Sequence, residues 1–167
     1  MFLGKKALKN APLQDFVLPN RTVLRFTPEV VGVLSKYAQA KVNSKEAGGM
    51  LFARFADGLI SIDHVTTPSP FDIRSRFAFR PSLAHQRDMI LKQFSKGLHF
   101  IGEWHTHPQD RPHPSQQDIL TARACLVESD HELNAFVVVV LGSNASIADA
   151  WVGIVHEEDV LRLHAIP

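Results

Sequence analysis

Apolar positions recur with two different periods along this chain, and the changes of period mark its elements. Residues 22–26 read as a short strand. Thr27-Pro28-Glu29 is a helix start, with threonine as cap, proline at the first helical position and an acid in the first turn. Val30, Val31, Leu34, Tyr37 and Ala38 share one stripe, which predicts a helix to about Val42, broken at Asn43-Ser44. After Gly48-Gly49 the pattern becomes that of a strand, and Asp57-Gly58 signals a hairpin. The return strand, residues 59–65, places Ile60, Ile62 and His64 on one face and Ser61 and Asp63 on the other. Residues 66–72 hold two prolines and read as a loop. Residues 74–80 alternate basic and apolar side chains, which predicts an exposed strand.

Pro81-Ser82 opens a second helix through Met89, Ile90 and Phe94, and Gly97 caps its end. Residues 98–104 form a strand that runs into a histidine pair. Residues 108–114 hold three prolines and predict a rigid loop. Ser115 starts a third helix, with Ile119, Leu120, Ala122, Cys125 and Leu126 as its apolar positions. Strands follow at residues 134–141, with four valines, at 148–155 and at 159–166. Helices interleaved with strands predict an α/β (α+β) domain built on a single mixed β-sheet flanked by helices. Residues 1–20 read as a lead-in segment and 21–167 as the domain. The first ten residues, with Lys5, Lys6 and Lys9, lack the apolar stretch and cleavage site of a signal peptide and read as a solvated tail.

Composition narrows the chemistry. The net charge of +1 gives no electrostatic case for nucleic acid or an acidic membrane surface. No apolar run reaches membrane-spanning length. The single cysteine, Cys125, allows no intramolecular disulfide and fits a reducing cytoplasm. Nine histidines beside one cysteine mean that any metal site is built from imidazole and carboxylate. Cys125 itself sits on a helical apolar stripe and reads as a small core residue.

The histidine pair is His105-Thr106-His107-Pro108. In an extended strand both imidazoles leave the same face. A metal satisfies both rings at once, whereas a core position needs a partner for each. Asp118 adds a carboxylate one short loop later, and two imidazoles with one carboxylate suffice for a catalytic zinc with an open position. Iron, cobalt or nickel would accept the same ligands. Ser115-x-x-Asp118 ahead of an apolar run is also a helix capping box, which competes with metal binding for Asp118. A base for the attacking water is needed as well, and Glu46, Glu103 and Asp63 are candidates. Glu46 sits near Gly48-Gly49, where missing side chains permit close approach, and Glu103 lies deeper on the histidine strand. Spacing alone leaves the choice between Glu46 and Glu103 open.

Other chemistries find no pattern. His131-Glu132 and His156-Glu157 lack the second histidine of a His-Glu-x-x-His helix, one cysteine rules out the zinc deaminase motif, and no phosphate-binding glycine loop is present. His113 reads as a solvated loop residue. His64, His85, His99, His131, His156 and His164 show no ligand spacing. Arg74, Arg76, Arg80 and Arg87 read as a solvated face, or as a grip for an extended or acidic partner.

Taken together, Glu46 with Gly48-Gly49, His105-x-His107-Pro108 and Ser115-x-x-Asp118 resemble the JAMM motif of the JAB/MPN metalloproteases. The order of elements from about residue 20 onward resembles that fold as well. The resemblance implies a JAB/MPN sheet similar to that of cytidine deaminases. It implies Zn2+ on His105, His107 and Asp118, Glu46 as general acid/base, and Ser115 beside the developing oxyanion. The reaction implied is hydrolysis of a peptide or isopeptide bond after the C-terminal residue of a ubiquitin-like protein. Gly102-Glu103-Trp104-His105-Thr106-His107-Pro108 resembles the active strand of JAB proteins from bacterial CBASS antiphage operons. That likeness implies a protein substrate with an extended C-terminal tail, namely a conjugated cGAS-like nucleotidyltransferase. Residues 66–72 and 74–80 are then candidate walls for the tail. Two other readings stand beside it: a JAMM peptidase trimming a ubiquitin-like sulfur carrier, and a non-enzymatic MPN scaffold. The scaffold reading is weakened by the presence of all five motif residues.

Overall fold

A computed structural model of the protein describes residues 11–38, 41 and 43–167. Ten strands and three α-helices follow one another along those residues. They are β1 (Gln14–Val17), β2 (Val23–Phe26), α1 (Pro28–Leu34), β3 (Gly48–Ala56), β4 (Leu59–Val65), β5 (Ile73–Arg74), β6 (Phe79–Arg80), α2 (Leu83–Phe94), β7 (His99–Thr106), α3 (Gln116–Glu128), β8 (Phe136–Leu141), β9 (Trp151–Val155) and β10 (Val160–Leu163). Eight strands form one mixed sheet in the order β1-β2-β4-β3-β7-β8-β9-β10, while β5 and β6 pair separately. The β2–β4 and β7–β8 pairs are parallel and the others antiparallel. The expected mixed sheet with flanking helices is therefore present. No helix among the described residues is long and apolar enough to cross a membrane.

The valine run of β8 shows why the core sits where it does. All six residues of β8 are buried. Val137, Val139 and Leu141 pack in the main core with Val30, Val31 and Leu34 of α1. Val138 and Val140 face the other way, against Ala122 of α3 and Trp151. A strand covered on both faces reads as a continuous apolar run rather than an alternation. Further along that second face, α2 brings Met89 and Ile90 onto Met50, Phe52 and Leu98.

Four expectations need correction. The first helix stops at Leu34 and continues only as a 3-10 turn, Ser35–Tyr37. Tyr37, the last residue of that turn, packs on Trp104 with ring centroids 5.4 Å apart, and the chain leaves the helical path at Ala38. Residues 39, 40 and 42, where the predicted helix ends, lie outside the described residues. Residues 74–80 are not one strand but a tight hairpin, closed by Ser75 N–H donating to the Ala78 carbonyl at 2.8 Å. In β4 the alternation is broken by a bulge at Asp63: Phe52 pairs with His64 but Ala53 with Ile62. His64 therefore stacks on Phe52 while Ile62 lies in the main core, so the two do not share a face. Finally, β1 falls inside the segment read as a lead-in. Phe16 bridges to Ala165, and Ile166 N–H donates to the Asp15 carbonyl at 2.8 Å, so the segment after β10 returns to β1. The expected solvated tail, residues 1–10, lies outside the described residues.

Candidate metal centre and active site

The histidine pair stands at the end of β7, in the middle of the sheet. His105 pairs with Gly48 of β3 on one side and Val140 of β8 on the other. His107 leaves the strand, but its N–H still donates to the Leu141 carbonyl at 2.8 Å. The proline loop is pinned to the end of β8, because Ser143 N–H donates to the Gln109 carbonyl at 2.8 Å. It then delivers Ser115 as the cap of α3.

The capping box expected of Ser115 and Asp118 is formed. Ser115 N–H donates to Asp118 Oδ2 at 2.6 Å, and Asp118 N–H donates to Ser115 Oγ at 3.1 Å. The same Oδ2 lies 3.2 Å from His105 Nε2 and 3.4 Å from His107 Nε2. The capping box orients the carboxylate toward the imidazoles instead of diverting it. His105, His107 and Asp118 each offer one ligand atom, all within 4.8 Å of one another.

These three residues fit a metal ion. Tetrahedral ligands at zinc–nitrogen and zinc–oxygen distances lie about 3.3 Å from one another. The two histidine–aspartate separations match that edge. His105 Nε2 is buried and makes no hydrogen bond among the described residues, although Asp118 is close. A cation held there would supply the missing partner. Burial alone would raise the Asp118 carboxyl, but the two imidazoles and the Ser115 amide outweigh it and hold it well below the usual carboxylate range. His107 is raised, chiefly by Asp118, with burial opposing and Glu46 and the His113 backbone contributing. His113 thus serves the site through its main chain, while its side chain stays exposed.

Of the three candidate bases, Glu46 feels His107, His105 and Asp118, and Glu103 feels His105 and Asp118. Glu46 is buried, at 8% exposure. Burial raises its carboxyl, while His107 and His105 pull it back and Asp118 pushes it up again. Glu103 lies two residues before His105; burial raises it, His105 and a hydrogen bond from Gln86 of α2 oppose the rise, and Asp118 adds to it. Asp63 lies on β4, paired with Arg54 at 3.2 Å.

The glycines act through close packing. A Cβ on Gly49 would stand 2.1 Å from the Thr66 carbonyl oxygen, and one on Gly48 2.5 Å from the Phe79 ring. Gly48 lies opposite His105, so the Phe79 ring fills the space a side chain there would take. Two further supports escaped the sequence reading. Thr106, between the histidines, is fully buried, and its Oγ1 accepts from the Ala47 N–H at 2.9 Å. Its own N–H donates to the Ala47 carbonyl at 2.9 Å, so the residue after Glu46 is tied to the His-x-His segment twice. Strand alternation could have flagged Thr106, because it must face away from the imidazoles. Arg74, read from the sequence as part of a solvated or partner-gripping face, instead donates from Nε to the Glu46 carbonyl at 2.7 Å.

A mixed sheet with two imidazoles at a central strand end, a capped aspartate and a buried glutamate beside them defines a JAB-type domain. The chain belongs to that family: the family of prokaryotic homologs of the JAB domain matches residues 27–153. A protein of Escherichia coli (strain TW11681) named CD-NTase/cGAS isopeptidase is 30% identical over 138 residues, 81% of this chain and 83% of its own. A protein of the same name from Pseudomonas aeruginosa (strain BWHPSA011 / Pa011) is 35% identical over 102 residues, 59% of this chain and 65% of its own. Among solved structures, a Desulfitobacterium hafniense protein has the same fold, with a TM-score of 0.59 at 19% identity over 83% of this chain and 88% of its own.

Proposed function

We propose that this chain is a zinc-dependent isopeptidase that hydrolyses the bond after the C-terminal residue of a protein conjugated through its tail. The substrate we infer is a CD-NTase or cGAS-like nucleotidyltransferase conjugate, in CBASS antiphage defence. The names of the E. coli and P. aeruginosa relatives support that substrate class. The observation that carries the chemistry is the grouping of His105, His107 and Asp118 within 4.8 Å, with buried Glu46 beside them.

In this reading His105, His107 and Asp118 hold the ion. When bound, zinc supplies Lewis acidity toward a carbonyl oxygen and toward water. Glu46 takes a proton from the attacking water and returns it to the departing lysine amine. A carboxyl raised by burial suits both transfers near neutral pH. Ser115 Oγ accepts from the Asp118 N–H, which leaves its own hydrogen to donate to the substrate carbonyl oxygen as charge develops.

The test pairs elemental analysis with cleavage of a nucleotidyltransferase fused through its C-terminal tail. Wild type should carry zinc and cut. Glu46→Ala should carry zinc and leave the fusion intact, and His107→Ala should lose both. An active Glu46→Ala variant would move the base to Glu103, and cleavage that survives metal removal would end the zinc reading.

A further inference from the structure

Glu46 belongs to no strand, so the sheet ladder does not fix its main chain. Both of its backbone groups are taken instead by the β5–β6 hairpin. Its N–H donates to the Ser75 carbonyl at 2.7 Å, and its carbonyl accepts from Arg74 Nε at 2.7 Å. On the far side, Ala47 is held by Thr106. The side chain that faces the triad therefore hangs between two anchors, one on β7 and one on the hairpin.

We propose that Arg74 is the positioning residue for Glu46, fixing the base through a hydrogen bond to its main-chain carbonyl. The proposal rests on the reading of Glu46 as base. The hairpin has only two residues in each strand, too few for stability of its own. Ile73 and Phe77 stand 69% and 70% exposed, so little apolar burial holds it down. Its fixed points are Phe79 against Gly48, Asp72 accepting from the Ser82 and Ser69 N–H groups, and the Arg74–Glu46–Ser75 pair of bonds. A guanidinium donor makes a charge-assisted bond, stronger than a neutral one. In an exposed arginine that donor would go to solvent, and here it is spent on one carbonyl beside the active site.

Two near-isosteric replacements separate this role from its rivals. Glutamine places an amide N–H as many bonds from Cα as the arginine Nε, without the charge. Methionine places a methyl group there. Arg74→Met should lower kcat on the tailed fusion by about tenfold to a hundredfold, as a displaced catalytic group does, with KM and zinc content unchanged. It should also lower the hydrogen-exchange protection of the Glu46 amide. Arg74→Gln should restore most of kcat and of that protection. If Arg74→Met does not fold, Arg74→Gln decides: near wild-type kcat and protection support the proposal, and loss of either overturns it. Equal rises in KM for both variants would make Arg74 a charge for the substrate and would also overturn it. Glu46→Gln, measured alongside, separates the two levels. If Glu46→Gln is active, the base reading fails and takes this proposal with it. If it is inactive while Arg74→Met keeps full kcat, only the positioning role fails. The double variant Glu46→Gln/Arg74→Met should be no slower than Glu46→Gln alone, and a further loss would show that Arg74 acts independently.

Discussion

The Asp118 carboxylate is held from two directions, by the Ser115 amide at 2.6 Å and by two imidazoles at 3.2 and 3.4 Å. Asparagine keeps an acceptor for the amide but removes the charge, and alanine removes both. In metal-free protein, Asp118→Ala should cost on the order of 1 kcal/mol in urea unfolding, and Asp118→Asn clearly less. Elemental analysis should show both without stoichiometric metal. Equal destabilisation would mean that the cap contributes nothing. Glu46 shows the opposite balance, since burial works against its charge. A carboxyl whose folded-state pKa lies above its ordinary 4.5 binds its proton more tightly in the folded protein. Stability then falls as pH climbs from 4.5 through the folded value. Glu46→Gln removes that loss, so metal-free Glu46→Gln should melt above wild type at pH 8, with the gap shrinking toward pH 4. A gap independent of pH would refute the desolvation argument. At this scale the grouping of His105, His107 and Asp118 was legible in their spacing. The preference for Glu46 over Glu103 comes from resemblance, because nothing in a linear pattern says that the segment just before β3 runs beside the His-x-His segment. Both glutamates are raised by burial and both feel His105 and Asp118, so the electrostatics does not choose between them, and the Glu46→Ala experiment does.

Elements were legible where a local signal was strong. The capped starts of α2 and α3, the Asp57-Gly58 hairpin and the valine strand all lie where cap, turn and burial chemistry put them. Bulges were not legible, since they come from how two strands meet. The β3–β7 ladder skips Ile101 of β7, between the Leu51–Gly102 and Phe52–Phe100 pairs, and Gly102 there takes a φ of 156° with the Val137 carbonyl in the space of its missing Cβ. The bulge lets Phe100 and His105 each take their place on a strand that otherwise could not keep one register along its length. Gly49 is the neighbouring case of close approach. A methyl there would stand 2.1 Å from the Thr66 carbonyl, and Thr66 also accepts from Trp104 Nε1 at 2.9 Å and from the Met50 N–H at 2.8 Å. Thr66 cannot retreat without breaking those bonds. Gly49→Ala should therefore destabilise the fold by about 1–3 kcal/mol, read as a lowered denaturant midpoint. An unchanged midpoint would show that this strand gives way more easily than its packing implies.

At the scale of the whole molecule, topology was the hidden part. The parallel pairings β2–β4 and β7–β8 join segments far apart in sequence, and β1 pairs with β2 and meets the returning chain near Ala165 on its other side. Four residues with one buried phenylalanine carry too little pattern to announce that. The topology nevertheless explains why the metal triad needs so little from the rest of the fold. All three candidate ligands come from residues 105–118, a strand end, a proline loop pinned to β8 and a helix start. The main core lies mostly against α1, and the triad adds no apolar residue to it. The metal-free protein should accordingly keep its native circular dichroism, and zinc should add stability by binding a site already formed. At a thousandfold excess over Kd that addition is about 4 kcal/mol. For a chain of this size it corresponds to a rise in Tm of about 8–16 °C. Asp118→Asn and His107→Ala should abolish the rise while keeping a cooperative melt. If removing the metal unfolds the wild type instead, the sheet and its helices do not stand alone, and the ion holds the fold together rather than occupying a finished site.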